Sequence, residues 1–392
     1  MAKTDWRPAL SARAHWRAHR LFHPLCGATP DTLLPLLGKG GIAPGRAHVM
    51  AIALAMAALR SPFTLAEAAL TAWHSAMPAP IFIVGHWRSG TTHLTNLLSR
   101  SPAFGILSPM AVGLPAEARG LARAARPFVE QFFPHDRLID AMPLRSDLPQ
   151  EDELAMANLC TLSCCHGLYF PSRLFAEFDR GVFLDGVAPA ELRRWQRRLR
   201  RYLGKMSRDG RPLLIRNPAN SARIKLLASM WPDARFIHIH RDPVDVCASS
   251  ARMFATLLRE LALGRVDDPD AQAHKLVHRV YPRLMRAVRD GLGTLPPSRR
   301  IDIRFDDLRT QPTRTLRRIH ETLGLDGWRE AETRFAAAIR DAGDHVPSHA
   351  DRDAAAWRWL AEHPDIFRSL GYPALSQNPQ ATRRSLPRSR LR

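Results

Sequence analysis

Apolar positions along the chain fall into two rhythms. Four short and largely apolar runs, Ile81 to Val84, Pro212 to Arg216, Phe236 to Ile239 and 300–305, are bounded by turn formers or charges, and each predicts a strand. Between them lie stretches with helical spacing: one around Ser221 to Met230, most of 250–295, and 312–323. Strand, helix and strand in that order is a βαβ arrangement. The pattern therefore predicts an α/β fold, a P-loop-like parallel sheet flanked by helices on both faces.

The flanking segments extend this picture. Residues 93–133 read as helices with a turn around Ser101 to Pro109, Asp140 to Gln150 as an irregular stretch, and 189–208 as a very basic helix. Ahead of the first strand, residues 1–45 are rich in Arg, His and Pro and predict short helices and loops. Residues 46–60 predict an apolar helix too short to span a bilayer. With Leu65 to Trp73 it either packs on the domain or lies on a membrane surface, and packing is the commoner use of such a helix. The tail from Ser376, with repeated Pro, Ser and Arg, predicts disorder. The expected division is a helical N-terminal extension at 1–78, an α/β domain at 79–375 and a basic tail at 376–392.

Composition adds limits. A chain of 392 residues with 45% hydrophobic content can bury one large core with an appended helical region. It carries 57 basic against 37 acidic residues, a formal charge of +20. That surface attracts multiply anionic donors and acidic acceptors, but the charge is spread over many helices, which argues against a nucleic-acid partner. Only five of the basic residues are lysine, a skew that coding-DNA composition produces without any function. Five cysteines lack a paired framework and point to a reducing compartment. Cys160, Cys164, Cys165 and His166 lie in the apolar stretch Leu154 to Leu168. They are expected as buried residues of a core helix rather than as metal ligands. No secretory pattern follows Met1, so the expected location is cytoplasmic, with a peripheral place at the inner membrane face as an extension.

Candidate chemistry begins at the first strand. Ile81 to Val84 ends at Gly85, and Arg88-Ser89-Gly90 then leads to Thr91 and Thr92 where a helix opens. Backbone N–H groups at such a turn, the positive helix end, hydroxyls and a guanidinium converge on one point and make an anion cradle. Gly85 and Gly90 have Walker A spacing, but Thr91 stands where the nucleotide-gripping lysine belongs, and no lysine occurs between Lys39 and Lys205. A second segment repeats the design: a strand, then Arg241-Asp242-Pro243, then a helix carrying Ser249 and Ser250. Asp242 is a natural N-cap, and Arg241 with Ser249, two turns along, is placed to pinch a phosphate.

Together the two segments resemble the sulfotransferases that use 3′-phosphoadenosine 5′-phosphosulfate (PAPS). The resemblance covers roughly residues 80 to 325 and includes Leu213-Leu214-Ile215-Arg216-Asn217-Pro218 and Arg304-Phe305-Asp306-Asp307-Leu308. It is nearest to a bacterial branch with Gly-His-Trp-Arg-Ser-Gly-Thr-Thr-His and Pro-Gln-Glu-Asp-Glu motifs. The resemblance implies that Arg88, Ser89, Gly90, Thr91 and Thr92 hold the 5′-phosphosulfate and that Arg241 and Ser249 hold the 3′-phosphate. It implies PAPS as co-substrate, adenosine 3′,5′-bisphosphate (PAP) as product and no metal. His93 stands where animal cytosolic relatives usually have the tryptophan that meets adenine, and their catalytic histidine has no obvious counterpart here.

The base for an acceptor hydroxyl or amine is sought among carboxylates and histidines. Pro149-Gln150-Glu151-Asp152-Glu153 places acids at a helix start, an ordinary capping position that also matches the bacterial motif. Glu151 is the first choice and Glu153, His86 and His166 stand in reserve; Glu151 and Glu153 point to different helix faces. The acceptor class stays open among a glycan, a lipid and a small metabolite. Two rival functions share the cradle: a P-loop kinase or nucleotide hydrolase, and a PAPS-binding protein without catalysis.

Overall fold

In the computed structural model of the chain, the described residues are 23–71, 77–129, 139, 148–207, 209–342 and 359–372. The expectations for residues 1–22, for 140–147 and for the tail from Ser376 lie outside them.

The sheet has five parallel strands, β1 (Ile81–Val84), β2 (Gly105–Ile106), β3 (Leu213–Arg216), β4 (Arg235–His240) and β5 (Arg300–Arg304), in the order β2-β3-β1-β4-β5. Side chains alternate between two cores, as a period of two requires. Phe82, Val84, Ile215 and Phe236 enter the larger one; Ile81, Ile83, Leu214, Ile237 and Ile239 enter the smaller. Each face of the central strand β1 is therefore covered, which explains why it reads as a continuous apolar run, whereas the edge strand β5 alternates buried Ile301 and Ile303 with exposed Asp302.

Eight helices matter below: α1 (Ala47–Thr71), α2 (Thr91–Leu98), α3 (Asp152–Leu159), α4 (Cys165–Tyr169), α5 (Pro189–Met206), α6 (Pro243–Leu261), α7 (Pro269–Leu292) and α8 (Pro312–Leu323). α2 and α8 supply Leu94, Leu97, Leu316 and Ile319 to the smaller core. The others line the larger core, where Leu25, Leu33, Val49 and Ala53 of the N-terminal segment join the sheet residues.

The structure departs from the sequence pattern in three places. β2, only two residues long, falls inside the turn expected around Ser101 to Pro109, because two residues display no period. α1 runs on through Pro62 to Thr71 instead of ending at residue 60. The proline removes only the N–H that would have met the Ala58 carbonyl, and the turns on either side are held by the Ser61 hydroxyl on the Ala57 carbonyl (2.8 Å) and by the Thr64 hydroxyl on the Glu117 carboxylate. The stretch Leu154 to Leu168 is not one helix. The chain becomes extended at Cys160, and the Glu153 carboxylate accepts from the Ser163 hydroxyl (2.7 Å) and the Cys164 N–H (3.2 Å), drawing the backbone back before α4 begins. Cys160 and Cys164 are thus not one helical turn apart, and all five cysteines are buried thiols.

Candidate functional site

β1 lies between β3 and β4, and the chain passes from one side of it to the other, so the ends of these strands form the crevice where parallel α/β sheets bind ligands. Gly85 follows β1 with φ 150°, and a Cβ there would strike the Ile239 carbonyl. Its N–H donates to the Ser221 hydroxyl (2.9 Å), which donates in turn to the Gly85 carbonyl (3.1 Å). Arg88 takes a left-handed φ of 69°, a costly conformation for a side chain other than glycine. Gly90, at φ 103°, ends the turn as N-cap of α2, and a Cβ there would collide with the Phe305 ring.

The cradle is open to an anion. No side chain caps α2, which leaves its first-turn N–H groups facing the loop. The Ser89 hydroxyl is buried and makes no hydrogen bond. Thr91 is buried at the first helical position and Thr92 half-buried beside it. Buried donors of this kind fit a polyanionic group with several acceptor oxygens.

The second loop has the expected cap: Asp242 accepts from the Val244 N–H (2.8 Å) and Pro243 opens α6. Ser249, however, is held by the first loop rather than by its own arginine. Arg88 Nε donates to Ser249 Oγ at 3.0 Å. Arg241 is paired with Asp245 one turn along (2.8 Å) and lies over the Phe305 ring at 5.3 Å. Phe305 therefore touches both loops, and the Arg88–Ser249 bond ties them into one site.

The two candidate carboxylates have different surroundings. Glu151 is the N-cap residue of α3, bridges to Arg216 at the end of β3, keeps 23% of its side chain exposed and lies 3.6 Å from the Arg216 guanidinium. Glu153 is buried and its oxygens are taken: Arg223 Nη1 at 3.0 Å, Asn217 Nδ2 at 2.9 Å, and the Ser163 and Cys164 donors already named. Burial alone would raise its pKa, but Arg223 and the other donors outweigh it and hold the carboxyl below the usual range. Glu153 is a structural anion. Asp152, buried beside it, is pushed up to about 7 by burial and by the Glu153 charge.

Neither reserve histidine is an exposed base. His166 contacts the Ala157 and Thr161 carbonyls (2.9 and 3.2 Å), and burial lowers its pKa to about 4. His86 Nδ1 lies 2.9 Å from the Trp87 carbonyl, burial takes it to about 4, and its Nε2 is buried without a hydrogen bond beside the Tyr281 ring. Among the described residues, no group of three His, Cys, Asp or Glu side chains is placed to hold a metal.

The Sulfotransferase family model matches residues 80–330, from the residue before β1 to beyond α8. Omega-hydroxy-beta-dihydromenaquinone-9 sulfotransferase Stf3 of Mycobacterium bovis, and the protein of the same name from Mycobacterium tuberculosis, are each 32% identical over 312 residues, 78% of this chain and 78% of theirs. The chain belongs to the sulfotransferase family. Its fold is also that of sulfotransferase STF9 from Mycobacterium avium (TM-score 0.60, 17% identity, 93% of this chain and 98% of that one). Sulfotransferase STF1 from Mycobacterium tuberculosis is similar at TM-score 0.58 and 18% identity, with 94% and 99% covered.

Several residues that shape this sulfotransferase site carry little sequence signal. Asp245 neutralises Arg241, and only the four-residue spacing on a helix hints at the pair. Arg223 and Ser221 sit at the start of the stretch read only as a helix from Ser221 to Met230, yet one balances Glu153 and the other pins Gly85. Arg216 was visible only as a variant of a motif, and burial at the end of β3 makes it the guanidinium facing Glu151.

Proposed function

We propose that the chain transfers the sulfuryl group of PAPS to a hydroxyl of a lipid acceptor, at the cytoplasmic face of the inner membrane. The observation that supports this reading is the Arg88–Ser249 hydrogen bond, which joins the two candidate anion-binding loops from neighbouring strands into one site. The open α2 terminus and the unbonded Ser89 hydroxyl fit the 5′-phosphosulfate, with Gly90, Thr91 and Thr92 completing the cradle. Arg241 and Ser249 are assigned to the 3′-phosphate. The relatives named for an omega-hydroxy dihydromenaquinone support a lipid hydroxyl as acceptor.

In this scheme Glu151, the partly exposed carboxylate at the sheet edge, takes the acceptor proton. The acceptor oxygen bonds to sulfur as the bond from sulfur to the 5′-phosphate oxygen breaks, and the electron pair leaves on that oxygen. Arg88 and the cradle N–H groups stabilise the developing charge before it forms, as preorganised donors do. PAP then leaves from between the two loops.

Calorimetric titration tests the donor. PAP should bind without added metal, and ATP with or without Mg²⁺ should compete poorly. Tighter binding of Mg-ATP than of PAP would replace the sulfuryl donor with a nucleotide triphosphate.

A further inference from the structure

We infer that the outer face of α1 is a docking surface for an anionic bilayer, lying along the membrane rather than crossing it. The inference rests on the lipid-acceptor reading only for its purpose, which is to hold the site beside the phase that supplies the acceptor.

Beyond His48, exposed near the start of the helix, the outer face is uncharged and becomes strongly apolar toward its end. Leu59, Phe63, Leu65 and Leu70 are 69%, 50%, 71% and 77% exposed, and the residues between them on that face are mainly alanine. The only charged side chains of the helix, Arg60 and Glu67, both point inward and are buried. Soluble proteins seldom expose a contiguous uncharged strip of this length without a partner.

The inner face is fastened. Arg60 pairs with Glu117 (2.8 Å) and donates to the carbonyls of Cys26 and Ala28 (2.9 and 2.8 Å). Glu67 pairs with Lys205 (2.9 Å) and accepts from the Gly120 N–H (2.7 Å). By length and composition, Pro44–Thr71, with hydropathy 1.7, could cross a bilayer. Crossing would tear two buried ion pairs out of the domain, whereas lying flat leaves both intact. The geometry thus selects an interfacial helix with its apolar face sunk at the headgroup boundary.

Charge selects the occupant. The helix Leu121–Val129 starts against Glu67 and carries the exposed Arg123 and Arg126, while Arg46 precedes α1 at its other end. Exposed cations on the segments that flank the apolar helix suit anionic lipid headgroups, each contributing near the surface. A second copy of a chain with charge +20 would meet those arginines with like charge, so self-association makes poorer use of the same face.

The test is flotation of the full chain with vesicles of equimolar phosphatidylglycerol and phosphatidylcholine. Binding should be strong at low salt and weaken with salt or with phosphatidylcholine alone. The triple variant Leu59→Gln, Phe63→Gln and Leu70→Gln should lower partitioning by about tenfold or more, with PAP affinity and circular dichroism unchanged. Arg123→Ala with Arg126→Ala should weaken binding to the anionic vesicles and leave the neutral ones unaffected. Failure of the full chain to float at low salt, or a triple variant that floats like the parent, overturns the proposal. So does a dimer in sedimentation that the triple variant abolishes, which would give the face to a second copy. Transfer to a hydroxylated lipid acceptor dispersed in detergent, measured in parallel, separates the two readings. Lost transfer with intact flotation refutes the proposed function alone, and intact transfer without flotation refutes the docking surface alone.

Discussion

Replacing Glu153 by Gln should cripple the fold, while the same change at Glu151 should cripple only the reaction. At Glu153 the carboxylate holds a fully buried guanidinium at 3.0 Å and accepts from Asn217, Ser163 and Cys164. An amide would turn a donor toward some of those donors and leave Arg223 buried without its counter-charge. Removing one partner of a buried pair costs about 3–5 kcal/mol. With a denaturant slope of about 3 kcal/mol per molar urea, the midpoint should fall by roughly 1 M or more. Glu151, by contrast, is partly exposed and at 3.6 Å is only loosely paired with the buried Arg216, so its loss should cost less, about 1–2 kcal/mol. Turnover of Glu151→Gln should nonetheless fall by about 10²–10⁴-fold, the range for a general base.

Acidity checks the same assignment. The Glu153 pKa is depressed in the fold, so its stabilisation is present above the ordinary value of 4.5 and is lost as pH falls through that region. The gap between the parent and Glu153→Gln should therefore be full at neutral pH and close below about pH 4.5. A Glu153→Gln protein that melts like the parent but turns over slowly would refute this division and move the base to Glu153. Full activity in Glu151→Gln would send the search to the unbonded Nε2 of His86.

Other outcomes follow from the same contacts. Arg241→Ala should weaken PAP about tenfold or more while leaving an analogue without the 3′-phosphate nearly unchanged, since a charge-assisted contact contributes about 1.5–3 kcal/mol; equal losses would remove the 3′ assignment. Gly90→Ala should weaken PAP binding strongly, because the added methyl meets Phe305 at a left-handed φ, and calorimetry showing parental affinity would contradict the cradle geometry. Asp152→Asn tests the buried acid. With the pKa raised to about 7, the parent loses stability as pH rises through that value, so the variant should gain on the parent between about pH 4 and 7 by on the order of 1–3 kcal/mol, and parallel pH profiles would show that Asp152 is not perturbed.

Much of this architecture was legible because its signals are local. β1 and α8 appear where the runs Ile81 to Val84 and 312–323 placed them, and the α/β fold follows from their alternation. The cradle, too, is a local object: Gly85, Arg88, Ser89 and Gly90 are neighbours, so spacing alone exposes the design. What stayed hidden depends on contacts between distant segments. The Glu153–Arg223 pair spans the chain, so the same five-residue acidic motif could not say which carboxylate is structural. The Arg88–Ser249 bond joins two loops that were each read separately, and spacing within one loop gave no sign of it or of the Arg241–Asp245 pair. The helix read at 46–60 runs on to Thr71, because the ion pairs of Arg60 and Glu67, made with distant segments, hold both halves of α1 to the domain.

The most direct measurement is a single-turnover reaction with PAPS labelled in its sulfuryl group, excess full-length protein, a hydroxyl-terminated isoprenoid quinone dispersed in detergent, and no added metal. The label should move to the quinone hydroxyl with release of one PAP per labelled group, and Arg88→Ala should slow the transfer far more than it weakens PAP binding. PAP binding without any transfer of label to hydroxylated lipid acceptors would contradict the account.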